Sequence, residues 1–386
     1  MDNISLSKPD ITQLERDAVL DVLDGSSRLS LGPKIEEFET KFANYIGTRH
    51  AVAVNSGTSA LHLCVLSLNL KAGDEVITTP FSFIASSNCL LYENCTPVFV
   101  DIDPHTLNMD TSQIEALITE KTKAILPVHV FGLPCNMDEI FRLAEKYNLR
   151  IIEDACEAIG ATFNNKKVGG LGDCGVFGFY PNKQMTTAEG GIITTNNDEM
   201  ADLCRSLRNQ GRDNNRSWLV HQRLGYNYRI SDIQCALGTV QLSRIDELLE
   251  KRKKVADLYN SYLKDFPRVI LPGSMTKTEK SWFVYVIRLE DNFSNEQRDQ
   301  ILSHLREQRI ECSNYFPPIH LQPFYVEKFG YKSGDYPVTE KICERTVALP
   351  FYGDLSENDV SYITDNLKQA VETQLTSFPT KTTSGG

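Results

Sequence analysis

Residues 176–191, VFGFYPNKQMTTAEGG, place one lysine, Lys183, between an aromatic, apolar segment and a run of small and polar residues. The apolar side predicts a buried strand and the closing glycines predict a tight turn, so the side chain of Lys183 has little room to reach water. A desolvated amine of this kind can form a Schiff base with a carbonyl, whereas most lysines are ordinary surface residues. The stretch alone leaves both interpretations open.

The composition is that of an ordinary globular protein. The chain has 386 residues, of which 41% are hydrophobic and 24% charged, and this length suits two domains with a sizeable core. The formal net charge of -11 argues against nucleic acid as the main partner, because phosphate backbones attract basic proteins. We expect no membrane span, since no apolar run approaches ~18–20 residues. We also expect no signal peptide, since MDNISLSKPD at 1–10 lacks a basic region followed by an apolar run.

The ten cysteines are scattered and form no CxxC pair. They therefore signal neither a zinc site nor a thioredoxin-type motif, and we expect no metal ion. Free cysteines in this number predict a reducing, cytoplasmic environment.

Between residues 50 and 196, predicted strands alternate with predicted helices of roughly 10–15 residues. This alternation predicts an α/β fold in which a mostly parallel sheet has helices on both faces. In such sheets ligands bind at the carboxyl ends of the strands. Four residues fall at or just beyond such ends and are expected to share one site with Lys183: Ser56, Phe83, His129 and Asp154.

The segment 55–59, NSGTS, joins a strand predicted at 51–54 to a helix predicted from residue 59. Backbone amides and hydroxyls at a helix N-terminus form an anion site, and phosphate is its usual ligand. The alternative is a plain serine or threonine N-cap. A Walker A loop is not predicted, because the trailing Gly-Lys is missing.

Residues 201–230 are polar, contain six arginines and are predicted to be rich in loops. Ser231 and Gln234 then form a capping-box pattern, and helix is expected to run, with a bend, to about residue 263. We place a domain boundary on this connector. Residues 1–245 form a large domain, residues 246–375 a smaller C-terminal α+β domain, and residues 376–386 a tail with the composition of a disordered segment.

Together these features resemble the DegT/StrS family of sugar aminotransferases, which are pyridoxal phosphate enzymes of the aspartate aminotransferase fold (fold type I). One such segment can arise by chance, but seven in family order do not. The matching segments span nearly the whole chain: NSGTSAL (55–61), PVFVDID (97–103), PVHVFG (127–132), EDACEAIGA (153–161), FYPNKQMTTAEGG (179–191), GYNYRISDIQCALG (225–238) and LPFY (349–352).

The resemblance implies a role for each matching residue. Lys183 matches the lysine that holds pyridoxal 5′-phosphate as a Schiff base and then moves the substrate proton. Asp154 matches the acid that keeps the pyridinium nitrogen protonated, so that the ring accepts electrons. Phe83 matches the aromatic residue that stacks on the ring, with a plain core role as the alternative.

The resemblance also implies how the phosphate is held. Ser56, Gly57 and Thr58 match the phosphate cup. Asn227 matches a residue that reaches the phosphate from the neighbouring subunit, which implies a homodimer with shared active sites. The alternative for Asn227 is a turn asparagine.

Two positions depart from the family pattern. The family usually has a serine phosphate ligand five residues before the lysine, where this chain has Gly178. It usually has glutamine or histidine near the 3′-oxygen of the cofactor, where this chain has Glu157. A carboxylate beside a phenolate is unfavourable unless one of them is protonated, so we expect either shifted titration of the bound cofactor or a Glu157 that is turned away.

The implied reaction moves an amino group from L-glutamate to the cofactor and then to a keto sugar on a nucleotide diphosphate, for amino-sugar or surface polysaccharide biosynthesis. The TTAEGG ending at 186–191 favours a 4-keto-6-deoxy hexose, because members that aminate C3 more often end in Gly-Asp-Gly-Gly. Candidate substrate contacts, with a structural role as the alternative for each histidine, are His129, Arg229 and His320.

Three alternatives stay open at this stage. An aminotransferase for a 3-keto sugar or a cyclitol is the first. A sugar 3-dehydratase of the same fold is the second, but that branch has histidine in place of the lysine, and Lys183 argues against it. The third is a non-catalytic regulator, which would bind the cofactor without turnover.

Overall fold

The structure is a computed structural model that describes residues 3–25, 28–213 and 220–377. Its helices are α1 (Gln13–Gly25), α2 (Pro33–Ile46), α3 (Gly57–Ser67), α4 (Ala85–Leu91), α5 (Thr111–Leu117), α6 (Met137–Tyr147), α7 (Asp198–Arg208), α8 (Asp232–Ser243), α9 (Ile245–Leu263), α10 (Asn295–Glu307), α11 (Pro323–Phe329), α12 (Pro337–Cys343) and α13 (Glu357–Ser377). Its strands are β1 (His50–Val54), β2 (Glu75–Thr78), β3 (Thr96–Phe99), β4 (Thr122–Ile125), β5 (Arg150–Asp154), β6 (Thr162–Phe163), β7 (Lys166–Lys167), β8 (Cys174–Gly178), β9 (Gly191–Thr195), β10 (Val269–Ile270), β11 (Thr278–Glu279), β12 (Tyr285–Leu289) and β13 (Thr346–Leu349).

Over the described ranges, seven strands form the central sheet in the order β1-β9-β8-β5-β4-β2-β3. From β8 to β3 all neighbours are parallel, while β9 runs antiparallel to both β8 and β1. The edge strand β1 pairs with β9 along its whole length, from His50 opposite Thr195 to Val54 opposite Gly191. The prediction of an α/β fold with a mostly parallel sheet is confirmed.

Aromatic side chains anchor the strand that leads to Lys183. Phe177 on β8 and Phe179 just after it pack edge-to-face on Phe38 and Phe42 of α2, with ring centroids 5.1–5.6 Å apart. Such rings bury large apolar areas and prefer this geometry. The loop that carries Lys183 therefore starts from a rigid, buried strand end.

A second unit follows the central sheet. Strands β10, β12 and β13 form an antiparallel sheet whose core includes the stacked rings of Tyr259 and Tyr285, 4.6 Å apart. Ile4 also belongs to this core and bridges to Ile310, although the predicted division placed it in the large domain. The boundary at 245/246 coincides with the start of α9 at Ile245 and stays a prediction.

The ends of the helices agree with the sequence predictions in most places. The capping box of Ser231 and Gln234 opens α8, and the predicted bend falls at Arg244 between α8 and α9. The loop-rich prediction for 201–230 is wrong in part, because α7 extends to Arg208. Asn197 caps α7, and its buried residues recur at helical spacing: Met200, Ala201, Cys204 and Leu207.

The chain end also differs from the prediction. The predicted tail at 376–386 begins inside α13, which continues to Ser377, and residues 378–386 lie outside the described residues. Among the helices that the structure describes, none combines the length and apolarity needed to cross a bilayer.

Candidate functional site

A cavity of about 650 Å³ opens at the carboxyl ends of the central strands. Its walls include Ser56 after β1, Asp154 at the end of β5 and Gly178 at the end of β8. These three strands point the same way, so their ends meet at one edge of the sheet, where ligands of such folds bind. The volume lies in the range of small-molecule sites, about 300–1,000 Å³.

Lys183 lines this cavity with a mostly buried side chain that is 15% exposed. Its ammonium lies 4.0 Å from the centre of the Phe283 ring and 3.8 Å from Oε1 of Glu157. The backbone N–H of Lys183 donates to the carbonyl of Tyr180 at 2.9 Å, which closes the turn after β8. The amine is thus held between an aromatic face and a carboxylate.

Asp154 presents a buried carboxylate to the same cavity. The hydroxyl of Ser86 donates to its Oδ2 at 2.8 Å, and the N–H of Cys156 donates to its Oδ1 at 3.1 Å. Ser86 is itself bonded to the hydroxyl of Ser82 at 2.8 Å. Because each oxygen accepts a hydrogen bond, the carboxylate is held in one orientation. A carboxylate that binds a single ligand atom needs such a fixed orientation.

Glu157 is buried and lines the cavity, so it is not turned away from Lys183. Its Oε2 accepts the N–H of Phe131 at 2.8 Å, while its Oε1 faces the lysine. Burial raises the pKa of Glu157, and the charge of Lys183 and the Phe131 amide offset only part of this effect. Glu157 therefore retains its proton to higher pH than an ordinary glutamate.

The predicted phosphate cup lies at the start of α3, which begins at Gly57, two residues earlier than expected. Ser56 is the N-cap, and its Oγ accepts the N–H of Ser59 at 3.1 Å. A Cβ on Gly57 would lie 3.0 Å from Sγ of Cys156 and 3.4 Å from Cα of Gly178. Gly57 thus lets the start of α3 pack closely on the end of β8 and on the residues after β5, and helix N-termini attract anions.

Aromatic side chains form the mouth of the cavity. Phe83 is 61% exposed and lines it, together with the exposed Tyr180. Tyr315 and Phe316 line it from the later part of the chain and stack on each other with ring centroids 5.0 Å apart. Phe83 therefore does not fill the core, which was the alternative to its predicted stacking role.

Several lining residues were missed by the sequence analysis. Those after residue 280 sit in segments that gave no recognisable chemical signal, although the aromatic run at 315–316 followed by two prolines was visible. They reach the site because the second unit folds back over the sheet. The missed residues include Tyr180, Asn182, Glu189, Phe283, Asn314, Tyr315 and Phe316.

Asn227 and Arg229 do not line the cavity of their own chain. Asn227 is exposed, and its carbonyl accepts from Nδ2 of Asn55 at 3.4 Å. Arg229 is half-buried and donates to Oδ1 of Asn209 at 3.2 Å. The predicted contact of Asn227 with the phosphate of a neighbouring subunit and the predicted substrate contact of Arg229 stay predictions.

The predicted substrate contact of His129 disagrees with the structure. The ring is fully buried away from the cavity, its Nδ1 accepts the N–H of Cys135 at 3.1 Å, and its Nε2 lies 3.2 Å from Oε2 of Glu153. Glu153 also accepts backbone N–H groups from the loop before β8, including those of Gly169 and Leu171. His129 is therefore a structural residue, because both ring nitrogens are occupied.

His320 does not line the cavity either, although its Nδ1, unlike that of His129, has no hydrogen-bond partner among the described residues. Its ring is fully buried outside the cavity, with Nε2 3.1 Å from Oε1 of Glu340. Burial lowers the pKa of His320, although Glu340 opposes that effect. The pair belongs to the aromatic packing around Tyr331 and Tyr336 rather than to a ligand site.

Comparison with known proteins agrees with this geometry. Residues 9–368 match the DegT/DnrJ/EryC1/StrS aminotransferase family. GDP-perosamine synthase of Caulobacter vibrioides is 42% identical over 369 residues, which cover 95% of this chain and 98% of that protein.

Two solved structures extend the comparison. PseC of Helicobacter pylori, an aminotransferase involved in pseudoaminic acid biosynthesis, is 31% identical with a TM-score of 0.91, covering 96% of this chain and 100% of that one. Spr1654 of Streptococcus pneumoniae, solved in its PLP form, is 32% identical with a TM-score of 0.91, covering 97% and 100%.

Proposed function

Because the chain belongs to the DegT/DnrJ/EryC1/StrS aminotransferase family, we propose that it moves an amino group from L-glutamate to a nucleotide-linked 4-keto-6-deoxy hexose. It is a sugar aminotransferase, and its cofactor is pyridoxal 5′-phosphate. The donor and the position of the keto group are the proposed part. The observation that carries the proposal is one cavity in which Lys183, Asp154 and the open start of α3 come together.

The residues of the cavity fit this cofactor. The start of α3, where Gly57 and Thr58 line the cavity, suits the phosphate. The fixed carboxylate of Asp154 suits a protonated ring nitrogen, and the exposed ring of Phe83 suits the face of an aromatic ligand. When bound, the cofactor supplies an aldehyde for amines and a ring that accepts electrons from the substrate carbon.

The side chains of the chain itself then have separate tasks. We assign to Nζ of Lys183 the binding of the cofactor aldehyde and the movement of the substrate proton. Ser86 orients Asp154, and the protonation state of Glu157, 3.8 Å from Lys183, sets the charge beside that amine. Tyr315 and Phe316 narrow the entrance and keep water from the reacting atoms.

A homodimer with shared active sites is the assembly that we propose. Asn227 is exposed next to its own phosphate cup but does not line it, which suits a contact with the cup of a second copy. Large apolar side chains are also exposed on and after α1, and such patches mark interfaces: Leu14, Leu20, Leu23, Leu29 and Leu31. The cytoplasmic location predicted from the cysteines stays a prediction.

The acceptor is best tested with a panel of nucleotide-linked 4-keto sugars, 3-keto sugars and keto cyclitols, each offered with L-glutamate. Release of 2-oxoglutarate measures turnover, and Lys183→Ala is the inactive control. We expect the 4-keto sugars to be the best substrates. Preference for a 3-keto sugar or a cyclitol would replace the proposed acceptor, and an absorption spectrum that L-glutamate leaves unchanged would exclude the proposed donor.

A further inference from the structure

Arg252 lies in α9 and donates to two backbone carbonyls of the active site. Its Nη1 is 3.0 Å from the carbonyl oxygen of Phe283, and its Nη2 is 3.0 Å from that of Lys183. The residue is only 4% exposed, and the guanidinium also lies over the ring of Phe351, 5.7 Å from its centre. A buried cation thus links the long helix to the loop of the catalytic amine.

Among the described residues, Arg252 differs from the other buried arginines in lacking an acidic partner. Within residues 3–25, 28–213 and 220–377, no carboxylate lies within ion-pair distance of its guanidinium. Burying an unpaired charge is unfavourable, and burial lowers the pKa of Arg252 to about 10, so it is still charged at neutral pH. Other buried arginines do have acidic partners: Arg208 with Glu39, Arg244 with Asp10 and Glu15, and Arg298 with Asp299.

Both carbonyls that Arg252 binds belong to residues that position the side chain of Lys183. The carbonyl of Lys183 fixes the backbone from which the amine extends. The carbonyl of Phe283 fixes the residue whose ring centre lies 4.0 Å from Nζ of that lysine. One guanidinium therefore positions both the backbone of Lys183 and the aromatic ring against which its Nζ lies.

We propose that Arg252 is a positioning residue that directs the amine of Lys183 toward the aldehyde of the cofactor. The planar guanidinium spans two acceptors at once, which a lysine ammonium on a flexible stem does less well. The inference rests on the proposed role of Lys183, and its test needs no sugar substrate.

The two forms of the cofactor separate positioning from general stability. Pyridoxal phosphate gains affinity from its bond to Lys183, whereas pyridoxamine phosphate already carries an amine and makes no such bond. A change that misdirects Lys183 therefore weakens binding of the first form alone. A change that merely loosens the cavity weakens binding of both forms.

The experiment compares Arg252→Met, which keeps the side-chain length without the charge, with Arg252→Lys. The matched control is Arg298→Met, since Arg298 is a buried arginine, 6% exposed, that donates to the carbonyl of Cys343 and does not itself line the cavity. Apoprotein is titrated with each cofactor form, and borohydride reduction followed by peptide mass analysis locates the linked lysine.

For Arg252→Met we expect pyridoxal phosphate to bind at least tenfold more weakly and pyridoxamine phosphate to change less than twofold. Arg252→Lys should lie between this variant and the wild type, and Arg298→Met should bind both forms normally. Equal losses for both forms, or no loss for either, would overturn the proposal. If Arg252→Met does not fold, Arg252→Lys tests the proposal by the same comparison. A Lys183→Ala protein that still binds pyridoxal phosphate normally would instead refute the proposed role of Lys183.

Discussion

The carboxylate of Glu157 and the ammonium of Lys183 lie 3.8 Å apart inside the cavity. Burial raises the pKa of Glu157 above its ordinary value of 4.5, although Lys183 opposes the shift. A carboxyl with a raised pKa binds more protons in the folded than in the unfolded protein. It therefore lowers the stability of the fold as the pH rises above about 4.5.

Glu157→Gln should remove this pH-dependent loss. We expect the variant apoprotein to gain stability relative to the wild type as the pH rises from about 4.5 to 7, because glutamine has no charge to desolvate. Thermal unfolding of both proteins across this range measures the difference.

Glu247→Gln is the matched control for that comparison. Hydrogen bonds and charges from Arg244 and Lys251 lower the pKa of Glu247, so its ionised form is favoured in the fold. This variant should lose a little stability near neutral pH, and the loss should shrink in acid. A Glu157→Gln difference with the same pH trend as Glu247→Gln would contradict the prediction.

Gly178→Ser should restore a hydroxyl to the phosphate cup. A Cβ at Gly178 would meet Sγ of Cys156 at 3.4 Å and Cα of Gly57 at 3.8 Å, which are ordinary contacts. One added hydrogen bond is worth about 1 kcal/mol, so we expect about fivefold tighter binding of pyridoxamine phosphate. Titration of the apoprotein measures this change.

Gly191→Ser provides the contrasting control. A Cβ there would lie 2.4 Å from the backbone carbon and oxygen of Ser56, so the serine must push β9 away from the cup. We expect weaker cofactor binding and a lower unfolding temperature. Weaker binding by Gly178→Ser as well would show that the cup has no room for a hydroxyl.

Mixed dimers test the shared active site. Lys183→Ala and Asn227→Ala each damage a different part of the site, and in the proposed dimer those parts come from different subunits. Co-refolding the two inactive variants should therefore restore activity, because the hybrid dimer contains one site with both native residues. No recovery, with hybrids verified by mass, would argue that Asn227 serves its own chain.

Glu15→Gln should destabilise the contact between α1 and the start of α9. Burial alone would raise the pKa of Glu15, but hydrogen bonds from Thr12, Arg244 and Gln241 outweigh it and hold the pKa at about 2. The stabilisation is present above pH 4.5 and is lost as the pH falls toward 2.

We therefore expect Glu15→Gln to lower the free energy of unfolding at pH 7 by about 1–3 kcal/mol, the range for a disrupted buried hydrogen bond. Denaturant unfolding at pH 7 and at pH 3 measures the effect, which should be smaller in acid. An equal loss at both values would show that charge is not its source.

The sequence was sufficient for features that depend on nearby residues. Ser231 with Gln234 and Ser294 with Gln297 form the capping boxes that their spacing predicts, and Gly47 ends α2 in the left-handed conformation. The strand ends that carry Ser56 and Asp154 follow from the alternation of strands and helices. Such signals are local, so a single sequence displays them.

The remaining features depend on contacts between distant segments. Phe283 and Arg252 reach the site because the second unit packs on the first, and nothing in their own neighbourhoods marks them. His129 follows a strand as predicted, yet its ring turns inward to Glu153, and residue order does not reveal that choice. The chemistry of the cavity was thus predictable, whereas its supporting contacts were not.

The pairing of β1 with β9 has a consequence for synthesis. The ribosome releases HAVAV of β1 well over a hundred residues before its antiparallel partner. At roughly 5–20 residues per second, this apolar segment stays unpaired for on the order of ten seconds, when nascent chains are prone to aggregate and recruit chaperones. The start of α3, which follows β1 directly, can therefore be held in its final place by β9 only after Thr195 has left the exit tunnel.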